Sequence, residues 1–240
     1  DYLNMLPELD RLRLEGTVID YEKIFDLKIS LRAILEVTEY IKKLDEEDFQ
    51  LLHALIAERY DPTDIFLHLE KILDEKGTIK DNASRELSSI RRKLRSRKDA
   101  IGRKISKSLD LAKNSGWTAK DVEPTIRGGR MVIPVSATNK RKIKGFIHDE
   151  SASGQTVFIE PAEAFDTNNE IRDLENAEKR EITKILTEFT RHLRPHIDEI
   201  ADLYQLLGQI DFLRAKAKYA IDLDAHMPEL LEKQEINWTN

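Results

Sequence analysis

The stretch Thr125–Asn169, TIRGGRMVIPVSATNKRKIKGFIHDESASGQTVFIEPAEAFDTNN, decides the fold, because it alone carries a β-pattern while helix-forming sequence lies on both sides. Gly128-Gly129 separates two short extended runs. Val132, Ile133 and Val135 are then followed, across a polar connection, by Ile143, Phe146 and Ile147, a hairpin signature. Ser151 to Gly154 supplies a turn cluster, and Thr156 to Ile159 a further strand ending at Glu160-Pro161. The expectation is a small antiparallel sheet inserted between long helices.

Working outward, Leu87, Ile90, Leu94, Ile101, Ile105 and Leu109 recur at helical spacing and define a helix from about Asn82 to Ala112 or Lys113. At 1.5 Å per residue it is about 45 Å long, more than an ordinary globular helix needs. Gly116 is placed for a left-handed turn at its end. On the other side, Pro161 suits the first turn of a return helix with the stripe Ile171, Leu174, Ile182, Ile185, Phe189 and Leu193, whose natural partner is the outgoing helix. Pro195 breaks or kinks that path, and a last helix carries Ile197, Ile200, Leu203, Leu207, Ile210, Leu213 and Ile221, with Pro228 beyond its end. Before the arm, a polar lead precedes a helix over about Tyr21 to Lys43; Asp45 or a neighbour caps the next, and Asp61-Pro62 starts another. The fold class is therefore mostly α: a helical core, long antiparallel helices, and a small antiparallel sheet at their far end.

With 40% apolar residues the chain can bury a core, and 35% charged residues favour solvated helices. The absence of cysteine excludes thiolate nucleophiles, disulfides and zinc–thiolate sites, and suits a cytoplasmic setting. No apolar run reaches the roughly 20 residues that span a bilayer, and no secretory signal opens the chain, so no membrane partner is expected. A sequence opening at Asp1 and stopping at Asn240 without an evident closing element suggests a piece excised from a longer protein.

The net charge of −6 hides two basic clusters. From Arg85 to Lys107 the outgoing helix carries ten Lys and Arg against Glu86 and Asp99, and Arg85, Arg92 and Arg103 fall on one face, nearly opposite the apolar stripe. Two readings stand: a solvated face neutralised by Glu175, Glu178 and Glu181 of the return helix, or an arm that contacts phosphate. The second cluster, Lys140, Arg141, Lys142 and Lys144, lies in a connection between strands, with Arg127 and Arg130 around the Gly-Gly turn. It suits phosphate contact or plain solubility, and neither cluster suggests base-specific readout.

Catalytic motifs are missing. There is no G-x-x-x-x-G-K-[ST] or G-x-G-x-x-G, so this stretch should not hydrolyse ATP. His148, Asp149, Ser151 and Ser153 are hydrolase residue types, but triads are assembled from separated segments; Ser151, Ser153 and Gly154 are better read as turn residues. His192 and His196 lack a third metal ligand, and Trp117 and Trp238 read as packing or linker aromatics. No catalytic or metal residue is assigned.

R-G-G-R-M-V-I-P-V (Arg127–Val135), G-F-I-H-D-E-S-A-S-G-Q-T-V-F-I-E-P (Gly145–Pro161) and Asn168-Asn169 resemble the MutS-two family, the recombination-controlling branch of the bacterial MutS ATPases. G-T-I-K-D-N-A-S-R-E-L (Gly77–Leu87) resembles that family's entry to the lever, and Ile210-Asp211-Phe212 with Ala215-Lys216-Ala217 its exit. The resemblance implies residues 1–80 as partial helical core, 81–116 as outgoing lever helix, 117–160 as a clamp-like β-subdomain and 161–240 as return lever and core helix. Ser151, Ser153, Gly154, Glu160 and Pro161 become a family turn motif.

Family members are dimeric ATPases that encircle DNA, often with an Smr nuclease domain, and some associate with ribosomes. This sequence carries neither the ATPase nor the Smr domain, so ATP, Mg and catalysis belong to a parent protein. The implied role is a non-catalytic lever and clamp that holds branched or duplex DNA, or ribosomal RNA, and transmits ATPase state. The alternative is a structural dimerisation or force-transmitting module without nucleic-acid contact.

Overall fold

The computed structural model describes residues 2–225. In chain order the elements are α1 (Leu6–Leu12), α2 (Tyr21–Lys42), α3 (Gln50–Ile56), α4 (Thr63–Ile72), α5 (Arg85–Asn114), β1 (Thr125–Arg127), β2 (Arg130–Ser136), β3 (Gly145–Glu150), β4 (Thr156–Pro161), α6 (Phe165–Leu193) and α7 (Ile197–Asp222). A mostly α chain with one small antiparallel sheet is what the sequence led us to expect. Pro228 and Trp238 lie outside the described residues. The chain divides into two compact units, one from the first 67 residues with the segment from Thr190 onward, the other His68–Phe189.

The first unit is helical. Ile24, Leu27, Leu31 and Ile34 of α2 are buried, as are Ile197, Ile200, Leu203 and Leu207 of α7. Pro195 sits in a 3₁₀ turn, Arg194–His196, which separates α6 from α7. The supposed polar lead contains α1, whose Leu9 and Leu12 are buried. Its support is remote in sequence: Arg194 Nε donates to the Leu12 carbonyl at 2.9 Å and Nη2 to the Thr17 carbonyl at 3.0 Å, a cation at the negative end of a helix. Seven residues carry too little periodicity to reveal such a helix.

In the second unit, α5 begins where Ser84 Oγ accepts from the Leu87 amide at 2.9 Å. It ends in a Schellman turn: Trp117 N donates to Ala112 O, Gly116 N to Lys113 O, and Gly116 has φ +69°. Side-chain pairs show that α6 runs antiparallel to it, for as one number rises the other falls: Ser84 with Glu181, Arg91 with Glu178, Lys98 with Glu175, Lys104 with Thr167, Ser108 with Glu163.

The sheet order is β1-β2-β4-β3, every neighbour antiparallel. Gly128 and Gly129, both at positive φ, close the β1–β2 hairpin in the two-residue turn that matches strand twist. The expected hairpin between β2 and the Phe146–Ile147 strand does not form: β4 lies between them, so β2 and β3 run parallel and residues 137–144 cross over. The reason is burial. Ile133 and Val135 of β2 pair in register with Ile159 and Val157 of β4, and all four are buried, whereas β3 is exposed throughout and takes the edge. Ile143 lies in the crossover, and Pro161 ends β4 rather than opening α6. The inner face, with Met131, Ile133, Val135, Val157 and Ile159, packs along the flank of α5 from Leu94 to Leu109 and reaches Ala164 and Ile171.

Candidate nucleic-acid interface

Beyond Ile159, β4 parts from β2, and side chains take over the ladder: Asn168 Oδ1 accepts from Met131 N at 3.1 Å, and its Nδ2 donates to Met131 O at 3.2 Å. The same Nδ2 donates to Glu160 Oε1 at 2.7 Å. Glu160 is fully buried, and Arg130 Nη1 donates to both its oxygens at 2.7 and 3.0 Å, while His148 Nε2 lies 2.5 Å from Oε2. Arg130 Nη2 donates to Asn169 Oδ1 at 2.6 Å, and the guanidinium lies over the Phe165 ring. A buried carboxylate with four such contacts is a structural lock, since its charge and acceptor sites are satisfied internally.

Arg127 is likewise occupied, over the Phe158 ring at 4.4 Å and 3.3 Å from Asp149. Along α5, Arg91 bridges Asp81 and Glu178, Arg95 pairs with Asp81, Arg97 with Glu170 and Lys98 with Glu175. Hydrogen bonds from Arg91, then from Arg95, hold the Asp81 carboxyl below its usual range. Arg85, Arg92 and Arg103 are exposed and make no ion pair among the described residues. Arg103 borders an open depression with Lys107, but Asp99 and Asp110 border it too.

The crossover differs. Its backbone is fixed: Ala137 N donates to Gln155 O, Lys142 N to Asn139 O, and Ala162 N to Lys144 O, each at 2.9 Å. The side chains of Lys140, Arg141, Lys142 and Lys144 are exposed and form no ion pair with a described residue. A short segment with hydrogen-bonded backbone thus holds four cations that pair with no described carboxylate, whereas Arg127 and Arg130 are committed to the protein. Sequence spacing could not make this distinction, because carboxylate partners such as Glu160 and Asp149 are supplied by strand pairing.

Ser151, Ser153 and Gly154 sit in the β3–β4 turn, where Ser151 Oγ accepts from Thr156 N at 3.0 Å, Gly154 N donates to Ser151 O at 2.7 Å, and Gly154 has φ +67°. Glu160 and Pro161 lie in β4, not in that turn. His148 faces Glu160 and Ser151 faces Thr156, so the two are not assembled for nucleophilic chemistry. His192 contacts Asp64 at 2.8 Å, and no group of three metal-ligating residues occurs among the described residues.

No family model matches the chain. The chain is 37% identical over 242 residues to a protein named endonuclease MutS2 from Streptococcus suis, covering 98% of this chain and 30% of that protein. A protein of the same name from Halothermothrix orenii is 30% identical over 233 residues, covering 93% and 29%. The chain belongs to the MutS2 family. Another MutS2 protein, from Carboxydothermus hydrogenoformans, is 40% identical over 164 residues, 68% of this chain and 21% of that protein. The chain thus spans about 30% of the length of the curated MutS2 relatives it matches over most of its own length. No helix among the described residues is long and apolar enough to cross a membrane.

Proposed function

We propose that this chain is a non-catalytic lever and clamp part of a MutS-family ATPase, which holds branched or duplex DNA, or ribosomal RNA, in the cytoplasm. The observation that carries the reading is the contrast among cations: the crossover gathers Lys140, Arg141, Lys142 and Lys144, all exposed and without an ion pair among the described residues, while Arg127, Arg130 and four of the ten cations from Arg85 to Lys107 are bound to the protein's own carboxylates. A backbone already held by hydrogen bonds adds no main-chain ordering cost when these cations meet a polyanion, and each phosphate contact releases counterions from it. ATP and Mg would be bound in the remaining length that MutS2 relatives possess, where a dimer would also be organised. Control of recombination or ribosome rescue is the role this assigns to the parent.

The test replaces Lys140, Arg141, Lys142 and Lys144 by Glu in the full-length protein and measures duplex and branched DNA affinity against salt. The expected outcome is weaker binding and a salt slope reduced by up to about 0.9 for each phosphate no longer neutralised. Unchanged affinity and slope would refute the interface.

A second reading, a dimerising or force-transmitting module with no nucleic-acid contact, draws on α7, where Phe212, Leu213, Tyr219 and Ile221 are exposed. It predicts no DNA binding by the chain even at low salt, and self-association seen by sedimentation.

A further inference from the structure

Behind the crossover lies a cavity of about 410 Å³ lined by Ser108, Leu111, Trp117, Lys142, Ile143, Lys144, Pro161, Ala162 and Glu163. Its composition is divided. Leu111, Ile143, Pro161 and the half-buried Trp117 are apolar, and Trp117 and Ile143 are anchored by packing on the sheet–α5 core. Two exposed cations, Lys142 and Lys144, which form no ion pair with a described residue, lie in the same lining. Glu163 accepts from Ser108 Oγ and keeps acceptor capacity for another N–H. The Schellman turn fixes the backbone of Trp117: its amide donates to Ala112 O at 2.9 Å and its carbonyl accepts from Ser136 N at 3.1 Å. With its backbone held and its ring packed on the core, Trp117 has little further side-chain freedom to lose on stacking.

We infer that this cavity takes a single unstacked nucleobase, with the base against Trp117, its edge toward Glu163 and its backbone phosphate on Lys142 and Lys144. The volume is that of a small-ligand site and the lining pairs an aromatic platform with cations, the combination that binds single strands. A base inside a duplex has both faces covered and cannot enter without being extruded. The site therefore favours unpaired nucleotides, as occur at a branch point or in an RNA loop, over continuous duplex. This rests on the nucleic-acid reading above and adds the strand state that is recognised.

The chain has two tryptophans, so Trp238→Phe leaves Trp117 as sole reporter. Its emission is followed in the 240-residue chain during titration with oligo(dA), oligo(rA), a blunt DNA duplex and inorganic polyphosphate, with anisotropy of labelled strands read in parallel. We expect saturable quenching by oligo(dA), oligo(rA) or both, and none by duplex or polyphosphate. Trp117→Ala should weaken single-strand binding by about five- to a hundredfold, with Trp117→Phe restoring most of it. If strands bind in a salt-dependent way while Trp117 emission does not move, or if duplex quenches equally, the pocket is refuted and the surface reading survives. If no nucleic acid binds in either measurement, both fall.

Discussion

Glu160, a residue of the central motif, directs its carboxylate to internal contacts. Its buried carboxylate is matched by Arg130, His148 and Asn168, so removing Arg130 leaves a negative charge with no strong counterpart. Arg130→Ala is expected to destabilise the folded chain by about 3–5 kcal/mol in urea unfolding. In the full-length protein it should leave the salt slope of DNA binding unchanged under conditions where the variant is folded. Gly145 is constrained differently: a Cβ there would meet the Glu160 carbonyl oxygen at 2.1 Å. Gly145→Ala should therefore cost about 1–3 kcal/mol by the same measurement, while Ala at Gly102, where nothing lies within 4 Å, should be neutral or slightly stabilising.

Ion pairs such as Arg91–Glu178 and Lys98–Glu175 tie α5 to α6, and Asp81, in the segment before α5, adds a contact to α5 that makes stability depend on pH. Arg91 ties Asp81 and Glu178 together, and Arg95 adds a second contact to Asp81. Because the Asp81 carboxyl is held below its ordinary value in the folded state, its stabilising contribution is present above the unfolded value of about 4 and is lost as pH falls through the folded one. Asp81 is half exposed, so solvent screening limits that contribution to up to about 1 kcal/mol. Thermal melts of Asp81→Asn against the parent sequence should differ at neutral pH and converge as the pH falls below the lowered folded-state value of Asp81. Salt should shrink the neutral-pH difference.

For the molecule as a whole, cations separate into those used up in folding and those left over, and the two sets should behave differently in binding. Replacing Arg85, Arg92 and Arg103 by Glu in the full-length protein tests the α5 face independently of the crossover. We expect a smaller loss of salt slope than for the crossover substitutions, because Asp99 and Asp110 border the depression at Arg103 and the three cations are spread along α5 rather than gathered in one loop. The helices and the presence of a small sheet could be read directly from the chain, since each follows from local periodicity and turn residues: the Leu87–Leu109 stripe, Gly128-Gly129, and Gly116 at the helix end. The β2–β4 pairing, the seven-residue α1 and the division of basic residues could not. Each depends on partners far away in sequence: Ile159 for Ile133, Arg194 for Leu12, Glu160 for Arg130. Local pattern reports which face of a segment is apolar, but which strand covers that face, and which carboxylate meets a given guanidinium, is settled only when the chain closes on itself and burial makes one arrangement cheaper than the rest.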